Sequence, residues 1–398
     1  MTESLNRTRF LQHVAQTSDF PPAMEFVKAD GVRLFDANGR AFLDLISGIS
    51  VNNLGHHHPE ITAAIHEQVD RHLHLMVYGE FVVTPQVEYA TKLASLLPPS
   101  LSSVYFTNSG AEAIEGAMKL AKRFTGRTEI AGFVNSYHGS TQGALSVTGD
   151  PELQRNFRPL LPDILHLRYN HPEDLSKITS RTACLIMEPV QAEAGCLVPN
   201  AAYLNAVRER CTQTGTLLIF DEIQTGMGRT GTLFAFQDAG VVPDVLVTGK
   251  AFGGGMPLGA FIADKKLMSV LTNHPVLGHI TTFGGHPVCC AAGKAALEVI
   301  VREQLYATAE EKGQLFKTLL VHPAIREVSG KGLLLAVRFD SYEINKSVID
   351  HCMAHGLITD WFLFAPDCLR IAPPLIITEA EIREACAIIL SSLSTLTF

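Results

Sequence analysis

Residues 217–231 read LLIFDEIQTGMGRTG, and residues 245–256 read VLVTGKAFGGGM. Each stretch opens on a short apolar run bounded by turn-forming residues, which suits a buried strand better than a helix. Asp221 closes the first run, and Lys250 comes after the second, one glycine on. The same kind of run recurs at Ser103–Thr107, Ile130–Val134 and Ala183–Met187. Longer amphipathic segments separate these runs, so strands alternate with helices. The pattern predicts an α/β chain with a mostly parallel central sheet.

The residues just past each strand are the informative ones. Asn108-Ser109-Gly110-Ala111-Glu112 succeeds the first, Asn135-Ser136-Tyr137-His138-Gly139 the second, and Glu188-Pro189-Val190-Gln191 the third. Asp221-Glu222-Ile223-Gln224 and Gly249-Lys250 complete the series. In an open parallel sheet, ligands sit beyond the carboxyl ends of the strands, so these clusters converge on one site. The outer segments read differently: a hairpin at Glu25–Asp36 with turns at Gly31 and Asn38-Gly39, then a Gly330-Lys331-Gly332 turn, a strand at Leu333–Phe339 and a final helix from about Thr378. The expected division is a large domain over 46–285 and a smaller α+β domain built from 1–45 and 286–398.

Composition narrows the function classes. A net charge of −8 with no basic run argues against nucleic acid as a partner and against an anionic membrane surface. The polar start MTESLNRTRF and the lack of a long apolar stretch predict neither a signal sequence nor a membrane span. The eight cysteines show no CxxC pair, so a reduced, cytoplasmic protein is expected.

Lys250 alone would read as a solvent-facing loop lysine. At a strand end beside a glycine-rich bend its ammonium is partly desolvated, which lowers its pKa and frees an amine able to attack an aldehyde. Asp221 alone would read as a helix cap. At a pocket floor its buried carboxylate needs a cation, and a protonated pyridine nitrogen would supply one. Gln224 lies within reach of such a ring's phenolic oxygen. Ser109-Gly110-Ala111 opens the amphipathic stretch Ala111–Arg123, where backbone N–H groups make either an ordinary cap or a phosphate site. Tyr137 is a packed aromatic or a stacking partner for a flat ring.

Two motifs point elsewhere and are set aside. Gly226, Gly228 and Gly231 match the dinucleotide spacing, but Asp221–Thr225 separates them from the strand and no clean helix start comes after them. His56-His57-His58 are adjacent on a turn and do not converge as metal ligands do, and no metal is expected.

Taken together, the ordered blocks resemble the class III aminotransferases, the group that includes acetylornithine, ornithine and 4-aminobutyrate aminotransferases. The blocks are LGHHHP (54–59), TNSGAEA (107–113), YHGST (137–141), EPVQAEAG (188–195), FDEIQTGMGRTG (220–231), TGKAFGGGMPLG (248–259), TTFGGHP (281–287) and LRIAPPL (369–375). The resemblance implies the type I fold of pyridoxal-phosphate transferases and pyridoxal 5'-phosphate as cofactor, held on Lys250 as a Schiff base. It implies that Asp221 pairs with the pyridine nitrogen and that Gln224 lies near the ring oxygen. Ser109, Gly110 and Ala111 would hold the phosphate, with Tyr137 and His138 at the ring face and Glu188 beside them. Thr282 would reach the cofactor of a second subunit in a homodimer with shared sites. Arg370 would grip the α-carboxylate of glutamate or 2-oxoglutarate, and Glu193 would pair with it when another donor is bound.

The activity implied is ping-pong transfer of an amino group, typically an ω-amine, from a small-molecule donor to a 2-oxo acid. Ser140 stands where the ornithine and acetylornithine enzymes usually carry an arginine, and Ile49 where ornithine aminotransferases carry a tyrosine. The donor is then an ω-amine without a carboxylate, or one whose carboxylate is held elsewhere. His286 replaces a usual asparagine. An aminomutase or racemase using the same cofactor, or a non-catalytic relative, are the alternatives; amino transfer to 2-oxoglutarate separates them.

Overall fold

The computed structural model describes residues 5–395, so the ends of the expected small-domain range, 1–4 and 396–398, lie outside the described residues. Strands β1 (Phe26–Asp30), β2 (Arg33–Asp36) and β3 (Ala41–Asp44) form an antiparallel meander, one strand more than the expected hairpin. Gly31 at φ 54° and Gly39 at φ 80° make its two turns, a conformation that costs glycine little.

The central sheet takes β4 (Ser103–Thr107), β5 (Glu129–Phe133), β6 (Ile164–Leu167), β7 (Thr182–Met187), β8 (Leu217–Asp221), β9 (Val245–Thr248) and β10 (Gly259–Ala263). Their order is β4-β10-β9-β8-β7-β5-β6. Only β10 runs against the rest, pairing antiparallel with both β4 and β9. Along β8 the side chains alternate between two cores. Leu218 and Phe220 join Leu246 and Ile262 on one face, while Leu217 and Ile219 join Val245, Phe261 and the helix Gly110–Thr125 on the other. Burial on both faces explains why these strands read as unbroken apolar runs.

The third sheet contains β11 (Glu327–Lys331), β12 (Leu334–Arg338), β14 (Trp361–Phe362) and β15 (Ala365–Ile371), ordered β11-β12-β15-β14. The short strand β13 (Leu357–Ile358) pairs in parallel with β3, so the two ends of the chain share a sheet. The helix Pro287–Arg302, expected with the smaller domain, instead buries Cys290, Leu297 and Ile300 in the central core. Packing changes cores between Ile300 and Ala309, not at 285, because this helix lies against the helices Pro59–Arg71 and Thr84–Leu96.

Arg229, within the glycine-rich stretch, is fully buried where these parts meet. It donates to the carbonyls of Leu333 (3.0 Å) and Pro373 and to the side chains of Ser47 (3.3 Å) and Asn53. Burial lowers its pKa to about 9 against the pull of Asp44. His56, from the histidine run, bonds Asp44 at 2.8 Å. Among the described residues no group of three or more metal-ligating side chains occurs, and no helix is long and apolar enough to cross a membrane.

Candidate active site

Because β9, β8, β7 and β5 are parallel neighbours, their carboxyl ends bring Lys250, Asp221, Glu188 and His138 to one edge of the sheet. Lys250 starts a short 3-10 turn with φ 49°, a left-handed conformation uncommon for a residue with a Cβ and one that tends to mark functional sites. Its Nζ donates to Gln224 Oε1 at 2.6 Å. Burial lowers the amine to about 8, although Glu193, Asp221 and Glu188 pull the other way. More of the amine is therefore uncharged near neutral pH than in an ordinary lysine.

Asp221 Oδ1 accepts from the backbone of Ile223 at 3.0 Å, and Oδ2 meets His138 Nδ1 at 2.7 Å. Burial pulls the His138 pKa down, but the hydrogen bond and charge of Asp221, with Glu188, outweigh it and hold the ring above its ordinary value. The sequence places His138 beside Tyr137 at a ring face; in the structure it turns to Asp221 and fixes that carboxylate. Glu188 accepts from the backbone N–H groups of Tyr137 (3.1 Å) and Ala192 (3.3 Å). Burial pushes it up to about 7, with His138 opposing and Asp221 adding to the shift.

These groups line a cavity of about 220 Å³ with Gly110, Ala111, Tyr137, Ser140 and Gln224. Ser109 caps the helix Gly110–Thr125 by accepting from Glu112 N at 3.2 Å, so the hydroxyl fills the ordinary capping role. The N–H groups of the helix's first turn have no partner within the helix and form an anion-binding end. A Cβ at Gly110 would come within 2.6 Å of Ile223 Cδ1, so glycine lets this turn pack closely on the Ile223 side chain in the segment after β8. Tyr137 lies along the wall, its hydroxyl 3.2 Å from Ser140 Oγ.

Tyr137, Glu193 and Lys250 also border a second cavity, of about 740 Å³. Its walls are largely apolar, from Phe10, Met24, Phe26, Ile49, Trp361 and Leu363. Ile49 sits in a turn, Ser47–Ser50, whose φ values of 44°, 64°, 63° and 61° are all left-handed. Arg370, on β15, also borders this cavity and is only 3% exposed. Nη1 and Nη2 donate to the two oxygens of Glu193 at 2.9 and 3.1 Å, and Nε donates to Asp360 Oδ1 at 2.7 Å. Burial raises the Glu193 carboxyl, yet Arg370 brings it net below its usual range; burial leaves Asp360 raised despite the same arginine. Thr282 is exposed on the irregular segment before the helix Pro287–Arg302 and lines neither cavity of its own chain. The role of His286 has no account in the structure beyond its stacking on His74.

The arrangement is a desolvated amine between a small polar cavity and a large apolar one, and comparison with known proteins gives it a family. Residues 14–393 match the family model described as aminotransferase class-III. The chain belongs to the class III aminotransferases. It is therefore a pyridoxal-phosphate-dependent enzyme that transfers amino groups from an amino donor to a 2-oxo acid. It is 40% identical over 380 residues to an acetylornithine aminotransferase of Methanopyrus kandleri, covering 94% of this chain and 95% of the relative. Among solved structures, a transaminase from the marine bacterium Virgibacillus superposes with a TM-score of 0.92 at 25% identity, covering 98% of both chains. The ornithine aminotransferase of Toxoplasma gondii, whose active site holds pyridoxal phosphate in part, superposes at 0.89 with 31% identity over 97% of this chain and 92% of that one. The fold is type I, as the sequence implied.

The smaller cavity fits the cofactor on its own features. Gln224 Nε2 is buried without a hydrogen-bond partner and awaits an acceptor such as a ring oxygen. Asp221 offers a buried anion to a ring cation, and the helix start offers N–H groups to a phosphate. Asp360 and the left-handed turn at Ser47–Ser50 carry no motif, and sequence reasoning missed both. Only the pairing of β14 with β15 brings Asp360 to Arg370.

Proposed function

We propose that Lys250 carries the cofactor and moves the proton in an ω-amine aminotransferase whose acceptor is 2-oxoglutarate. One observation carries this reading: the Lys250 amine, lowered to about 8, borders both the cavity floored by Asp221 and the cavity that holds Arg370. When bound, pyridoxal phosphate supplies an aldehyde that receives the amino group and a cationic ring that absorbs electron density from the donor carbon. Asp221, fixed by His138, keeps the ring nitrogen protonated. Gln224 orients the ring edge with its free Nε2 and the lysine with its Oε1. Once displaced by the donor, the Lys250 amine would take a proton from the amine-bearing carbon as base and deliver it as acid to the carbon that had been the cofactor's aldehyde. Ser109, Gly110 and Ala111 hold the phosphate, and Tyr137 covers the ring.

Arg370 clamps the α-carboxylate of the acceptor, and Glu193 takes that place when the donor presents none. The apolar wall of Phe26, Ile49, Trp361 and Leu363 suits a methylene chain, and Ser140 offers no cation for a distal carboxylate. A diamine donor fits this wall, as does an acetylornithine-like donor whose carboxylate is held by groups other than Ser140, in line with the acetylornithine aminotransferase of Methanopyrus kandleri that the chain is similar to. A cytoplasmic homodimer is part of the proposal. Exposed Phe81 and Val82, together with Ile280 and Phe283 beside Thr282 in sequence, supply apolar surface for a second copy, and all eight cysteines are free and buried.

The test is a screen of ornithine, N-acetylornithine, 4-aminobutyrate, putrescine and lysine with 2-oxoglutarate, scored as glutamate formed. Glutamate from at least one of them is expected. Amine consumed or rearranged without glutamate in every case would replace transfer with another reaction.

A further inference from the structure

Arg370 is held on two edges by two carboxylates that are fixed in different ways. Glu193 occupies the Nη1–Nη2 fork, and Asp360 occupies Nε. The guanidinium also lies 4.2 Å over the Phe362 ring and donates from Nη2 to the Trp361 carbonyl at 3.1 Å. Asp360 is tied to Arg370 through the main chain as well. Arg370 N donates to Asp360 O at 2.9 Å, and Thr359 Oγ1 donates to Arg370 O at 2.7 Å. Glu193 comes from a different element, the turn after β7, between Ala192 and Ala194. Its Oε2 also accepts from Leu363 N at 3.0 Å, so a swing of the side chain gives up that one bond to the β14–β15 turn, while the main-chain bond between Arg370 and Asp360 stays.

We propose that Asp360 is a positioning residue: it holds the Arg370 guanidinium by Nε while the Nη fork exchanges Glu193 for the carboxylate of the substrate. This rests on Arg370 being the carboxylate clamp. A buried cation stripped of all its partners is costly, and a fork free to rotate loses its bidentate geometry. With Asp360 in place, the arginine keeps one anion and one orientation throughout. The exchange also conserves charge, because one carboxylate leaves the fork and another enters. Asp360 borders the large cavity beside Trp361, so it lies on the side from which the substrate arrives.

The experiment uses holoenzyme in its aminated form, mixed with increasing 2-oxoglutarate, with the return of the visible cofactor band monitored in a single turnover. Wild type is compared with Asp360→Asn, Asp360→Ala and Arg370→Ala. Asparagine keeps an acceptor for Nε and loses the charge; alanine loses both. The concentration for half-maximal rate should rise about tenfold in Asp360→Ala and less in Asp360→Asn, the size of one hydrogen bond to a charged group. The maximal rate should stay within about threefold, the signature of lost binding rather than lost chemistry. If alanine yields no soluble holoenzyme, the asparagine variant alone decides by the same split. An unchanged half-saturation in the Asp360 variants, with a large rise in Arg370→Ala, would overturn the proposal and keep the clamp. Equal losses in both parameters would make Asp360 merely structural and overturn it too. No rise in Arg370→Ala would remove the clamp, and this proposal with it.

Discussion

The two sides of Lys250 are built on different principles. On the cofactor side, Asp221, His138 and Glu188 project from the ends of adjacent parallel strands, and most of their polar atoms are held by backbone or by one another. On the substrate side, Arg370, Glu193 and Asp360 come from separate elements, and Ile49 from a left-handed turn wedged against Arg229 through Ser47. The first side is a fixed floor for one ligand. The second holds an ion pair that, in the proposed function, opens for one substrate and closes for another. The contrast teaches that one sheet edge can supply rigid chemistry while specificity is left to groups assembled from the periphery.

Variants on the two sides should therefore fail differently. Lys250→Ala should lose roughly 10²–10⁴-fold in turnover from proton transfer alone, measured as glutamate formed with saturating donor. Turnover near wild type would break the assignment of the amine. Asp221→Asn should lower the maximal rates of both half-reactions by roughly 10²–10³-fold, as removal of a preorganised electrostatic partner does. Loss in only one half-reaction would mean that the floor is not shared.

The lowered Lys250 pKa sets the sign of a pH effect. The ammonium must lose its proton to attack, so capture of pyridoxal phosphate by apoenzyme should quicken as pH rises and level off above about 8. An unperturbed lysine would keep quickening to about 10.4. Rapid-mixing absorbance across a range from about pH 6 to about pH 10.5, bracketing both values, separates the two. Least affected should be Ser140→Ala, which removes only the contact to the Tyr137 hydroxyl. A change of about tenfold or less in kcat/KM is expected, the range for one neutral hydrogen bond. A far larger loss would put a substrate contact at Ser140.

The cofactor side is largely legible in the sequence, because a strand end gives its next residues both a direction and a common edge. Two apolar runs suffice to place Asp221 and Lys250. His138 falls on the right strand end but with the wrong partner, since the rotation of a ring about its side chain leaves no trace in spacing. Strand β10 goes unread: it opens on glycine within a glycine- and proline-rich stretch, and its antiparallel insertion between β4 and β9 is a tertiary fact. The substrate side is harder. Serine and isoleucine do not announce positive φ, so the turn bearing Ile49 is invisible in the sequence. Asp360 acquires meaning only through the register of a two-residue strand. The helix Pro287–Arg302 falls to the smaller domain on sequence grounds because order along the chain does not say which core an apolar face meets.

The most direct test is chemical. Holoenzyme reduced with borohydride, digested and mapped by mass spectrometry should carry the reduced cofactor on the peptide that contains Lys250. A tag on any other lysine, or none on a holoenzyme that transfers amino groups, would contradict the account at its centre.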